Sequence, residues 1–265
     1  IWKILTTNPL FHLKERMAMM DDKNITVSDH VKDLRKSLLI SFIAIAVATA
    51  LSYVLFLEQL MVIATDPITK LGIDLKFISV SEGFIAHIKI TFISGVILAS
   101  PIIIWQLLRF VLPALYKHER KIFLGILFSA LALFLIGLVF GYFIVLRLAL
   151  HTLIFDFSGQ LEPFITINNY LSFVFRFMLP FGLVFEIPLF VYFLTIMGII
   201  TPSKLLGARK YVLIVVLIIA AILTPPDVVS QVLLGIPMYI LFELSIILSK
   251  FVYNKKQKKE KWHKT

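Results

Sequence analysis

The chain has 265 residues, 59% of them hydrophobic and 16% charged, with a formal net charge of +10. Soluble domains carry about 25% charged residues, and with a mean hydropathy of +0.94 this sequence cannot cover a water-soluble surface. It reads as an integral membrane protein, and the absence of Cys excludes disulfides, thiol chemistry and Cys-ligated metal.

The first stretch, Ile1 to Asp22, has an apolar patch too short for a cleavable signal peptide. The sequence opens on Ile, and a working start is expected near Met19 or Met20. Residues 1–27 are read as an N-terminal extension and a candidate disordered segment. Asn24 to Lys36 reads as an amphipathic helix beginning after Ser28, a cap candidate. It leads into Leu38–Leu57, an apolar run of about 20 residues, enough to span a bilayer. Glu58 to Glu82 is mixed and polar, with Pro67 and Gly72 expected to break it. Phe84 to Leu108 is the second span, kinked at Pro101. A polar connection from Tyr116 to Lys121 follows Pro113.

Ile122 to Leu146 is the third span, and Arg147 to Asn169 a second long loop with Gly159 and Pro163. Tyr170 to Leu194 is the fourth, holding Arg176, Pro180, Glu186 and Pro188. Tyr211 to Leu223 is only about 13 residues, roughly 20 Å of helix against a hydrocarbon core of about 30 Å. Val228 to Leu248 returns after Thr224-Pro225-Pro226-Asp227. This pair reads either as one re-entrant hairpin or as two short spans. Two spans are favoured, because Lys and Arg then share one side at both ends. The expected fold is an all-α membrane protein of six transmembrane helices, the last two short, over residues 28–252, with a basic tail at 253–265.

On six spans the charges sort. Lys32, Arg35, Lys36, Arg109, Lys117, Arg120, Lys204, Arg209, Lys210 and the tail lysines share a side; Lys70, Lys76 and Arg147 lie opposite; Lys89 and Arg176 fall within spans. The positive-inside rule puts both termini on the cytoplasmic, stromal or matrix side. The basic excess then reflects topology and anionic lipid, not nucleic acid.

A few polar residues stand out. Glu119, in YKHER, is an acid among bases at the membrane surface; it could receive a guanidinium in a forked geometry, or pair locally with Arg120 or Lys117. Asp33 and Arg35 adjoin the first span, as receptor groups or as solvated interfacial charges. Glu186 lies mid-span, where a carboxyl usually faces a cavity or partner. Ten residues separate it from Arg176, about 15 Å along a straight helix, too far for direct pairing. Glu243, nearer the end of the last span, could snorkel or cap there. Pro225, Pro226 and Asp227 suit a tight turn. Gln231 faces a neighbouring helix or another subunit. No nucleophile–base constellation, His cluster at ligand spacing or phosphate-binding glycine loop occurs, so an enzyme is not expected.

Four strings carry a resemblance. DHVKDLR, SPIIIWQLLRFVLPALYKHER, YLSFVFRFMLPFGLVFEIP and RKYVLIVVLIIAAILTPPDVVSQVLLGIPMYILFE together resemble the TatC family, the polytopic subunit of the twin-arginine protein translocase. The resemblance implies a concave, glove-like bundle that receives twin-arginine signal peptides of folded precursors and works with the proton-motive force, without nucleotide or other cofactor. It implies a signal-peptide surface at Glu119, Asp33, Phe110, Arg35 and His118, with Asp33 where the family commonly has Glu. Glu186 would be a polar group inside the bundle. The last two spans would dock single-span TatA/TatB-type subunits, with Gln231 a contact, and further copies of the chain would assemble. The expected membrane is a bacterial inner membrane or an organelle-derived equivalent. The competing reading is an ion-coupled transporter with Glu186 and Arg176 at a midplane site.

Overall fold

In a computed structural model, residues 27–111, 120–156, 163–224 and 228–262 are described. The elements are α1 (Val27–Thr69), α2 (Glu82–Val111), α3 (Arg120–Phe140), α4 (Ile167–Val184), α5 (Ile187–Ile196), α6 (Pro202–Leu223) and α7 (Val228–Trp262). Past Phe140 the α3 helix runs on through a π turn (Gly141–Leu146), an α segment (Arg147–His151) and a second π turn (Thr152–Asp156). Six stretches are long and apolar enough to cross a membrane, α4 and α5 together forming the fourth. Six crossings bring the chain back to the face from which α1 starts, here the terminal face.

α1 is longer than its apolar run requires. Its 43 residues make about 65 Å of helix, and it continues through Pro67 where a break was expected. The proline removes the N–H that the Ile63 carbonyl would accept. Tyr142 replaces that donor, its hydroxyl lying 2.5 Å from Ile63 O, and Tyr170 donates to the next carbonyl, Ala64 O, at 2.7 Å. Pro101 in α2 is handled the same way: its ring orphans Ile97 O, and the adjacent Ser100 hydroxyl donates to it at 2.7 Å. In hydrocarbon an unmet carbonyl costs several kcal/mol, so prolines are tolerated where side chains supply the missing donor. Ser28, the expected cap, lies inside a helix that begins at Val27.

The expected loop from Arg147 is also helical. Asp66, at the far end of α1, lies 3.6 Å from Arg147 and 2.8 Å from Lys70. The Arg147 guanidinium also sits 5.1 Å from the Phe143 ring centre. With its charge matched, Arg147 does not end the helix, and Leu146, Ala149 and Leu150 pack into the main core beside it.

The fourth span, expected as one helix, is broken at Phe185–Glu186. Pro188 is the cause: it withdraws the donor for Val184 O and its ring crowds the turn before it. α6 has 22 residues and α7 has 35. What is short is the wholly apolar part of α6 after Lys210, because the helix already starts at Pro202 and carries the cations Lys204, Arg209 and Lys210 in its first turns.

α1 lies mainly on α2, α3 on α4, and α7 on both α5 and α6. Gly95 makes the first contact possible: a Cβ there would collide with the backbone and hydroxyl of Thr49. One step away Ser52 Oγ lies 3.2 Å from Ser94 Oγ. Buried Tyr170, Phe177 and Phe181 of α4 centre the main core. Of α1's most apolar window only 11% is buried, against 44% for α2, so α1 shows most of its apolar surface outward. At the face opposite the termini, Lys76 pairs with the strand-like approach to α4: its N–H donates to Ile165 O and its carbonyl accepts from Ile167 N–H, both at 3.1 Å.

Candidate functional site

The helix register sets the sequence-selected residues of α1 level with the end of α2. α1 and α2 are antiparallel and touch at Thr49 and Gly95. Asp33 precedes Thr49 by 16 residues, and position 111 follows Gly95 by 16. Asp33 therefore stands level with the last turn of α2, about 24 Å from the contact. Asp33 and Arg35 are exposed on the first turns of α1, and Phe110 is half-buried at the end of α2. Glu119 and His118 lie outside the described residues, as do Pro225, Pro226 and Asp227. Glu119 follows Phe110 by nine positions and immediately precedes α3.

A second polar feature lies in the bundle. Glu186 sits at the break between α4 and α5, half-buried, and lines a cavity of about 300 Å³ whose walls include Ile104 and Leu107 of α2, Phe134 of α3 and Phe193 of α5. Its Oε1 has no hydrogen-bond partner among the described residues. The wall is almost wholly apolar: besides Glu186 it includes the polar Ser100, whose hydroxyl is turned to Ile97 O. It does not pair with Arg176, as the helical spacing implied.

The other polar residues are tied down. Gln231 donates through Nε2 to Leu217 O at 3.0 Å, joining α7 to α6. This is the contact with a neighbouring helix that the sequence allowed. Glu243 accepts from Arg209 at 2.6 Å and from the Tyr239 hydroxyl at 3.1 Å. Thr195 and Ser249 hydroxyls lie 2.8 Å apart in a buried contact between α5 and α7. Sequence reasoning missed the tyrosine and serine donors to proline-orphaned carbonyls. The signal was present: Pro67 and Pro101 each name a carbonyl four residues back that must find another donor.

The family model for TatC, the Sec-independent protein translocase protein, matches residues 29–237. The chain belongs to the TatC family. It is 44% identical over 235 residues to a Sec-independent protein translocase protein TatC of Carboxydothermus hydrogenoformans, covering 88% of this chain and 96% of the relative. A TatC of Escherichia coli strain K12 is 38% identical over 234 residues, covering 87% and 90%. A crystal structure described as the twin-arginine translocase receptor TatC superposes with a TM-score of 0.78 at 39% identity, covering 84% of this chain and 99% of that one. TatC proteins are translocase subunits and not enzymes. The six-span helical fold expected from the apolar runs is the fold of this family.

Proposed function

We propose that this chain is the receptor subunit of a twin-arginine translocase, and that the surface where α1 begins and α2 ends takes the paired arginines of a signal peptide. The carrying observation is the register that sets Asp33 level with the end of α2, where Phe110 lies and which precedes Glu119 in sequence. Two acids at one membrane surface suit two adjacent guanidinium groups, each able to accept a forked pair of hydrogen bonds that Lys cannot copy. Phe110 offers an apolar contact for the segment that follows the arginines. Arg35 and His118 flank the acids and hold the local charge balance.

On this reading both termini are cytoplasmic, stromal or matrix-facing, in a bacterial inner membrane or its organellar equivalent. The basic tail at 253–265 contacts anionic lipid. Single-span TatA/TatB-type subunits dock on α6 and α7, further copies of the chain assemble, and the proton-motive force drives transport. The six-span unit of 28–252 is the working domain, and 1–27 an extension outside it.

The test is crosslinking of a twin-arginine signal peptide to the purified chain in detergent. Binding should fall with Glu119→Ala, with Asp33→Ala, and with a peptide whose paired arginines are lysines. Equal binding in all cases would reduce Glu119 to a local ion pair. Absence of binding by the unaltered chain, together with solute uptake by the chain alone in liposomes, would favour a transporter.

A further inference from the structure

Lys89 and Arg176 are cations inside the second and fourth spans, and neither belongs to the proposed receptor surface. Lys89 is seven residues into α2 and Arg176 nine residues into α4, about 10 and 14 Å below the helix starts. α2 and α4 both run from the face opposite the termini and pack together. Both cations therefore sit within the leaflet on that face. Such charges at hydrocarbon depth are costly unless matched.

Lys89 is fixed. Its Nζ donates to Asn168 Oδ1, to Ser172 Oγ at 2.6 Å and to Asn168 O at 3.4 Å. None of these partners is an anion. Arg176 is exposed and forms no ion pair among the described residues. Among the described acids of that face, Asp66 is committed to Lys70 and Arg147, Glu82 accepts from the Ile78 N–H at 3.1 Å, and Asp74 is exposed in the connection between α1 and α2.

Between the two cations is a cavity of about 360 Å³, lined by Ile88, Lys89, Phe92, Ser172, Phe175 and Arg176. Phe92 and Phe175 stack beside it with ring centres 6.1 Å apart and planes inclined by 16°. A second cavity, of about 380 Å³, also has Arg176 and Ser172 in its wall, next to Ile154 and Phe173. The chemistry is that of an anion with an apolar body: two cations and a hydroxyl at the head, aromatic and aliphatic walls along the flank.

We propose that Lys89 and Arg176 form a binding site for the phosphate head of an anionic glycerophospholipid from the leaflet opposite the termini. The Arg176 guanidinium takes two phosphate oxygens, Lys89 supplies a point charge, and an acyl chain lies against Phe92 and Phe175. A free phosphate would gain the charges but nothing from the rings. A lipid gains both: the Arg176 side chain snorkels toward the interface to meet the phosphate, and the acyl chains run along the rings below it.

The experiment is native mass spectrometry of the full chain in neutral detergent, titrated with phosphatidylglycerol. The unaltered chain should retain one phosphatidylglycerol that Arg176→Leu binds about tenfold more weakly, the loss expected for one charge-assisted contact. Diacylglycerol, lacking phosphate, should not be retained. Millimolar inorganic phosphate should not displace the lipid. Lys89→Gln keeps one donor for Asn168 while losing the charge, and should weaken the same lipid. Equal retention by the unaltered chain and Arg176→Leu would overturn the proposal. Full displacement by inorganic phosphate would also overturn it, leaving a site for the free anion.

Discussion

Tyr142 donates a hydrogen bond from its hydroxyl to Ile63 O, the carbonyl that Pro67 deprives of an N–H donor. The two residues are coupled although they do not share a helix. Tyr142→Phe should destabilise the protein by about 1–2 kcal/mol, the upper range for polar contacts between membrane helices. In a Pro67→Ala background the backbone donor returns, and the same change should cost less than half as much. Unfolding of the four variants in detergent measures the coupling. Strict additivity would mean that Tyr142 does not stand in for the missing N–H.

Gly95 sets the distance between α1 and α2, so Gly95→Ala should cost about 1–3 kcal/mol through overpacking. At Gly125 and Gly207 an added Cβ meets nothing within 4 Å. Alanine there should be neutral or stabilise by up to about 1 kcal/mol, as glycine is the poorer helix former. Thermal unfolding of the three variants side by side separates packing from helix propensity.

Glu186 has no partner to lose at Oε1. Glu186→Leu should therefore leave the unfolding temperature unchanged or raise it, since removing an unsatisfied polar atom from an apolar wall has no hydrogen-bond cost. A fall of several degrees would show that the carboxyl has a structural partner.

Arg209 and Glu243 are each partly open to solvent, with side chains 47% and 29% exposed. Arg209→Ala should cost less than about 1 kcal/mol, and the difference should shrink in high salt. A large, salt-independent loss would contradict a surface ion pair.

Asp33→Glu should bind a twin-arginine signal peptide at least as well as the unaltered chain, because the added methylene keeps the carboxylate at an exposed position. Asp33→Ala should weaken binding by about tenfold. Peptide titration followed by fluorescence anisotropy distinguishes the two, and equal affinity for all three would remove Asp33 from the surface.

Span number, the order of spans and the family were legible in the residues because apolar length and motif strings are local properties. The ends of the helices were less so. Arg147 read as a loop because its charge was visible while its partner Asp66, 81 positions earlier, was not. Pro67 read as a breaker because the sequence does not show Tyr142 beside Ile63. Pro188 and Glu186 were both noted, yet the break between α4 and α5 depends on how Pro188 crowds the turn at Val184. For Gln231 the structure adds one partner, Leu217 O on the neighbouring helix. At the proposed receptor surface the residue types were readable, and the register through Gly95 adds the level at which Asp33 stands.

The π turn at Gly141–Leu146 holds one residue more than an α turn would. Everything beyond it, from Arg147 beside Asp66 to Ile154 in the core, keeps its phase only because of that extra residue. A lineage that lost one residue here could close the turn to an α turn and retain every downstream contact. A single deletion in the middle of the regular α3 helix would instead rotate the residues between it and the π turn, Phe134 and Leu138 among them, by about 100°. The same event in the gene is thus nearly silent at one turn and disruptive a few turns earlier.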